Sequence, residues 1–468
     1  MRAARAGEGR RREHAARGWK DFPSAHQALA GRRAEYPNRT RHGSPVGVGA
    51  TAAPGVVMGT GAGDTAGPPV LPISPMNAPL TTSYRTLFLL ACCQALLLTN
   101  AAGLVALNGL VGYGLTSNKS LATLGVTTYV VGSALSTMPM SLWMARVGRR
   151  RGFMAGALIN VVGCGIAMLA LLAHSFALFC FATAVIGVYN AVGLQYRFAA
   201  AEVAAPADKA TATSLVLAGG IVGGVVGPQM TRAGQHLFAT SFVGSFVLLA
   251  ATALVALAIA SQVHVPKPSV AHQDGDGRPL RDVVQQSTFV VAALSGALSY
   301  GLMNLLMTAT PLAMSFCSYP YGQAVLVIQW HVIGMYAPAF VTGSLIKRFG
   351  VLAVIGAGIA ILAVGSLVAL HGTTVPHFVT ALILVGLGWN FMYTGGTVLL
   401  AECHTPAEKA RAQGANDFLV FAVMAISSFS SGALVSSAGW QVMNGATLVV
   451  LVFAAALLIW FALLRHAR

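Results

Sequence analysis

The sequence predicts an all-α polytopic membrane protein whose twelve transmembrane helices form two pseudo-symmetric six-helix halves. Three observations carry that prediction. Only 29 Lys or Arg and 13 Asp or Glu occur among 468 residues, 56% of the chain is hydrophobic, and the mean hydropathy is +0.70. A soluble domain averages about 25% charged residues, so a chain at 9% belongs largely in lipid. Polar punctuation divides the chain into twelve apolar stretches, and a polar pattern recurs at an offset of 200 residues.

Taken in order, the stretches run near 86–108, 119–142, 152–172, 175–196, 211–231 and 237–259, then 287–313, 320–343, 351–371, 374–395, 411–434 and 440–464. Backbone amides facing lipid need partners within their own segment, so each is expected to be helical. The intervals Arg151 to Arg197 and Asp282 to Lys347 contain no charged residue, and each fits two spans of about 20 residues.

Ahead of the spans, residues 1–84 form an Arg-, Ala-, Gly- and Pro-rich tail that holds 11 of the 29 basic residues before position 43. Such a composition predicts disorder, and it lacks the apolar core of a signal peptide. A basic arm on anionic headgroups is one reading; a translation start at Met58 or Met76 is the other.

Topology follows from the basic residues. With the tail in the cytoplasm, the inner segments after residue 84 collect sixteen Lys and Arg, among them Arg146, Arg149, Arg197, Arg278, Arg348, Lys409 and Arg465. The outer loops collect only Lys119 and Arg232, so the positive-inside rule places both termini in the cytoplasm.

The repeat is visible when AEVAAPADKATA from Ala201 is set against AECHTPAEKARA from Ala401. Glu202 matches Glu402, Asp208 matches Glu408, Lys209 matches Lys409, and one span earlier Asn190 matches Asn390. Arg146-Val147-Gly148 likewise corresponds to Arg348-Phe349-Gly350. The halves are therefore read as 85–260 and 287–468, joined by a hydrophilic cytoplasmic linker over 261–286; such a duplication permits alternating access around a central site.

These motifs resemble those of the major facilitator superfamily over residues 85–468. The segment from Ser141 through Arg146 to Arg150 is similar to that family's G-x-x-x-D-R-x-G-R-R loop, with Ser141 in the place of Gly and Ala145 in the place of Asp. The second copy keeps Gly343 but has Lys347 in the Asp place. The resemblance implies a cytoplasmic gate, for which Arg146, Glu202, Arg348 and Glu402 are the candidates. The Gly219, Gly220, Gly223, Gly224, Gly227, Pro228 run resembles part of an antiporter pattern, although close helix packing explains it equally.

The candidate cargo site lies in spans seven and eight. Met303 with Met307 and His331 with Met335 are each spaced by four, which puts each pair on one helix face. Thioether and imidazole suit cuprous ion, and an ionisable residue within a span normally marks a pathway or a pairing. The motif pair resembles the copper-importing (CcoA-like) branch of the superfamily, bacterial inner-membrane carriers. That resemblance implies copper ion as transported substrate and a downstream copper chaperone as partner. No permanently bound cofactor, nucleic-acid partner or catalytic residue is expected; the six cysteines show no metal-type spacing, and a monomer in the lipid bilayer is the expected assembly.

The alternative cargo is riboflavin, another small organic solute, or a drug. A planar ring asks for an aromatic and amide-lined cavity, and Asn100, Asn190, Asn304, Trp330 and Asn390 are the principal candidates, with Gln94, Tyr189, Trp389 and Tyr393 beside them.

Overall fold

The computed structural model describes residues 82–205, 208–265, 277–405 and 407–466. The tail expected over 1–84 lies outside these residues apart from its last three positions, as does the middle of the linker.

Among the described residues, eleven helices are long and apolar enough to cross a membrane, and a bent pair supplies a twelfth span. The first six are Tyr84–Leu115, Leu124–Val147 with a 3-10 turn at Lys119–Leu121 before it, Arg149–Leu172, Phe176–Gly193 continued by the short helix Tyr196–Glu202, Lys209–Gly234, and Val243–Ala260. The second six are Ser287–Phe316, the pair Tyr321–Tyr336 and Ala339–Phe349, Val351–His371, Val375–Ala401, Lys409–Ser437 and Gly439–His466. Span eight bends by 40° at its break, where Pro338 has no N–H to continue the helix and its ring crowds the preceding turn.

The repeat reappears as geometry. Gly148 and Gly350 both turn the chain between consecutive spans, with φ/ψ of 93/157° and 86/157°. A side chain is strained at such angles, so glycine at both places keeps the same sharp corner in both halves. Asn190 donates to the Ser133 hydroxyl of span two at 2.9 Å, and Asn390 donates to the Met335 carbonyl of span eight at 2.8 Å. Each repeated asparagine thus ties the fourth helix of its half to the second.

The face of the bundle where Tyr84 begins is here called basal and the other distal. Span one packs closely on span five. A Cβ at Gly219, Gly223 or Gly227 would stand 2.4, 1.9 or 2.2 Å from the carbonyl oxygens of Ala91, Ala95 and Thr99. Only glycine admits that approach, so the glycine run is accounted for by packing.

Between the halves, span two meets span eleven and span five meets span eight. Among the described residues, every hydrogen bond joining the halves lies toward the distal face. Thr123 donates to the Ser428 carbonyl at 2.9 Å and accepts from the Gly432 amide at 2.9 Å. Gln229 donates to Gln329 at 2.9 Å, Gln329 donates to the Val225 carbonyl at 2.6 Å, and the Thr231 and Tyr321 hydroxyls meet at 2.7 Å. The distal seam is closed. On the basal half of the same helices, Leu135, Met138, Phe340, Val341 and Phe418 are exposed.

Candidate functional site

The basal charges pair differently from the sequence expectation. Arg149 grips Glu202 with two nitrogens, at 2.6 and 3.2 Å, and donates to Gln195 at 2.9 Å. Arg146 is exposed on the last turn of span two. The Gly148 corner places the residue after it, and not the one before it, against the end of span four. In the second half Val351 occupies the place of Arg149, so Glu402 pairs with Arg465 of span twelve, and Arg348 lies over the Phe349 ring. Arg146 and Arg348 are therefore not the partners of these glutamates in this arrangement.

The repeat-related acids Asp208 and Glu408 both anchor the chain where it enters a half. Asp208 accepts from the Thr82 hydroxyl at 2.7 Å, just before span one. Glu408 accepts from Arg278, ahead of span seven, at 2.8 and 2.9 Å. The Arg278 guanidinium, aided by the Thr405 and Arg278 amides, holds the Glu408 carboxyl well below the usual carboxylate range.

The sulfur and imidazole set is packed rather than open. Met303, His331 and Met335 are buried, and Met307 is half-buried against the core. His331 Nδ1 lies 2.6 Å from the Leu382 carbonyl, which turns the ring toward span ten. Its Nε2 is buried without a hydrogen-bond partner. Among the described residues, no group of three or more His, Cys, Asp or Glu is placed to hold a metal ion.

The amides serve helix packing. Asn100 donates to Thr252 at 2.9 Å and accepts from Asn160 at 2.8 Å, joining spans one, six and three. Asn304 donates to the Met424 carbonyl and the Ser427 hydroxyl, both at 3.1 Å. Asn390 accepts from Thr342 at 2.7 Å besides its bond to span eight. These groups are satisfied within the bundle. Trp330 is 45% exposed and stands outside the aromatic cluster described next.

That cluster lies among spans seven, eight and ten of the second half. Trp389 and Tyr393, one helical turn apart on span ten, lie face to face with centroids 5.3 Å apart and planes 8° apart. Tyr300 of span seven meets both edge-on at 5.1 and 4.9 Å, and Tyr336 of span eight meets Trp389 at 6.3 Å. The Trp389 indole N–H is buried and unpartnered, whereas Tyr300, Tyr336 and Tyr393 remain half-buried. Arg197, at the basal end of span four, lies over the Phe198 ring at 4.8 Å, and its Nε is buried without a hydrogen-bond partner. The sequence reading placed Trp389 and Tyr393 only beside its principal cavity candidates, and their spacing of four is a signal it did not use. It missed Tyr300, which comes from another helix.

Two duplicated six-helix halves joined along one face by polar contacts have the architecture of a membrane carrier. The sequence profile of the Major Facilitator Superfamily matches residues 87–335 and 292–468, and the chain belongs to that family of transporters. It is 39% identical over 369 residues to the riboflavin transporter RfnT of Brucella anthropi, covering 78% of this chain and 92% of that protein. It is 30% identical over 368 residues to the superfamily transporter YdeG of Bacillus subtilis, covering 75% and 84% of the two chains. Among solved structures, the nucleoside transporter NupG superposes with a TM-score of 0.65 at 12% identity, covering 81% of this chain and 99% of that one. The human organic anion transporter TETRAN gives 0.59 at 14% identity, covering 80% and 99%. The copper-importing branch gains no support from these relatives.

Proposed function

We propose that the protein carries riboflavin or a closely similar planar heterocycle across the bacterial inner membrane by alternating access. The aromatic cluster of Tyr300, Tyr336, Trp389 and Tyr393 carries this reading, because stacked and edge-on rings offer faces to a flat, weakly polar solute. The cargo named for the relative at 39% identity agrees with it. With both termini cytoplasmic, as the basic residues indicate, the closed distal seam faces the periplasm and the arrangement is inward-facing. The carrier works as a monomer.

Copper ion is the second cargo considered, and the unpartnered Nε2 of His331 is the observation that favours it. Burial of Met303 and Met335 weighs against a wet ion path. A copper chaperone would be a partner only in that case.

Sealed vesicles containing the purified protein test both readings together, with flavin fluorescence and radioactive copper as readouts. Riboflavin flux is expected, and Tyr393→Ala should raise its KM about tenfold, the loss of one good aromatic contact. Copper flux that disappears in Met303→Ala and His331→Ala, without flavin flux, would reverse the assignment.

A further inference from the structure

A cavity of about 670 Å³ opens on the distal face where span five ends and span eight begins. Gln229, Arg232 and His236 line it from the first half, and Gly322, Gln323 and Leu326 from the second. Arg232 Nε stands 2.8 Å from a Cβ built at Gly322, so the guanidinium lies against span eight. The other distal Lys or Arg is already occupied, since Lys119 donates to the Tyr113 and Thr116 carbonyls at 2.6 and 3.0 Å. Arg232 belongs to no ion pair among the described residues. The spans offer it no acidic partner either: no Asp or Glu occurs between Arg85 and Glu202, between Asp208 and Asp274, between Asp282 and Glu402, or beyond Asp417. Any anion at this guanidinium comes from outside the bundle. Below the cavity, both helices carry exposed apolar side chains. Leu326 and Trp330 of span eight, 41% and 45% exposed, stand four residues apart on one face, as do Val226 and Val222 of span five, 40% and 59% exposed. From Arg232 to Val222 this stripe runs about 15 Å toward the basal side.

We propose that this cavity holds the headgroup of an acidic phospholipid from the distal leaflet, of the phosphatidylglycerol class. A basic pocket between spans suits an anionic headgroup, and a guanidinium presents a fork of donors that matches phosphate oxygens. Arg232 donates to the phosphate. Gln323 Oε1, buried without a partner, accepts from a headgroup hydroxyl, and an acyl chain lies along Val226, Leu326 and Trp330. A free phosphate shares the chemistry that Arg232 reads; the apolar stripe beneath selects the lipid. Because the lining comes from both halves, the bound lipid bridges them and favours the closed distal seam, and it must release one half before that seam parts. The site is independent of which cargo the carrier moves.

The test follows the Tm of the carrier in phosphatidylcholine nanodiscs containing rising fractions of phosphatidylglycerol. Wild type is compared with Arg232→Gln, Arg232→Lys and Arg151→Gln, the last removing an exposed basal arginine as control. Wild type and Arg151→Gln should gain Tm saturably at low phosphatidylglycerol. Arg232→Gln should need about tenfold more of it for half the gain, the value of a hydrogen bond to a charged group, and Arg232→Lys should fall between the two. Glycerol 3-phosphate added to phosphatidylcholine discs should leave Tm unchanged. An equal gain from glycerol 3-phosphate would overturn the lipid in favour of a free anion. Identical responses in wild type and Arg232→Gln would overturn the site, as would a loss in Arg151→Gln matching that in Arg232→Gln. Native mass spectrometry of wild type needs no variant: one phosphatidylglycerol should be retained in preference to phosphatidylcholine, and equal retention of the two lipids would overturn the proposal.

Discussion

Arg149 and Arg146 stand three positions apart, but only Arg149 is placed to hold the end of span four. Its partner Glu202 and its own side chain are 25% and 13% exposed, so the pair is sheltered enough to matter and too wet to count as a buried ion pair. Arg149→Ala should lower the unfolding free energy by about 1.5–3 kcal/mol, the range for hydrogen bonds to charged groups. Arg146→Ala should change it by less than about 0.5 kcal/mol. Thermal unfolding of both variants in the same detergent checks this, and equal losses would contradict it. The glutamate was legible as a repeated polar residue in a charge-poor chain. Its partner was not, because the choice between two arginines turns on the corner at Gly148 and not on spacing. The same limit applies to the cargo site, where spacing of four drew attention to His331 with Met335 and is shared by Trp389 with Tyr393. Which pair faces the seam depends on the rotation of its helix, and neighbouring helices set that.

At the scale of elements, the boundaries followed the polar punctuation closely because lipid leaves a spanning chain few alternatives. Span eight departs from a single straight helix, and Pro338 marks where. The contact of span one with span five depends on glycine at three successive turns. Gly223→Val should therefore force the two helices apart, since even a Cβ there falls 1.9 Å from the Ala95 oxygen. Reduced membrane abundance and a lower Tm of the extracted protein are expected. Gly114→Val, where a Cβ meets nothing within 4 Å, is the matched control and should behave as wild type. A Gly223→Val protein with normal abundance and Tm would show that the approach is not required.

The whole molecule is closed along one face, where Ser436 donates to the Lys119 carbonyl beside the Thr123 contacts. Cysteines placed at Lys119 and Ser436, in a background where the exposed Cys317 is replaced by Ser, should be bridged by a short thiol cross-linker. Bridged carrier should bind cargo from the basal side and yet carry none across, and a reductant-cleavable linker should restore flux. Flux persisting in fully bridged protein would show that the distal seam does not have to part. The seam itself is built from hydroxyls, carboxamides and main-chain groups, with no charged side chain in any of these bonds among the described residues. Arg232 of span five nevertheless packs on Gly322 of span eight across the same face, so parting the seam also exposes a guanidinium, and the balance between the two orientations of the carrier should respond to ionic strength there.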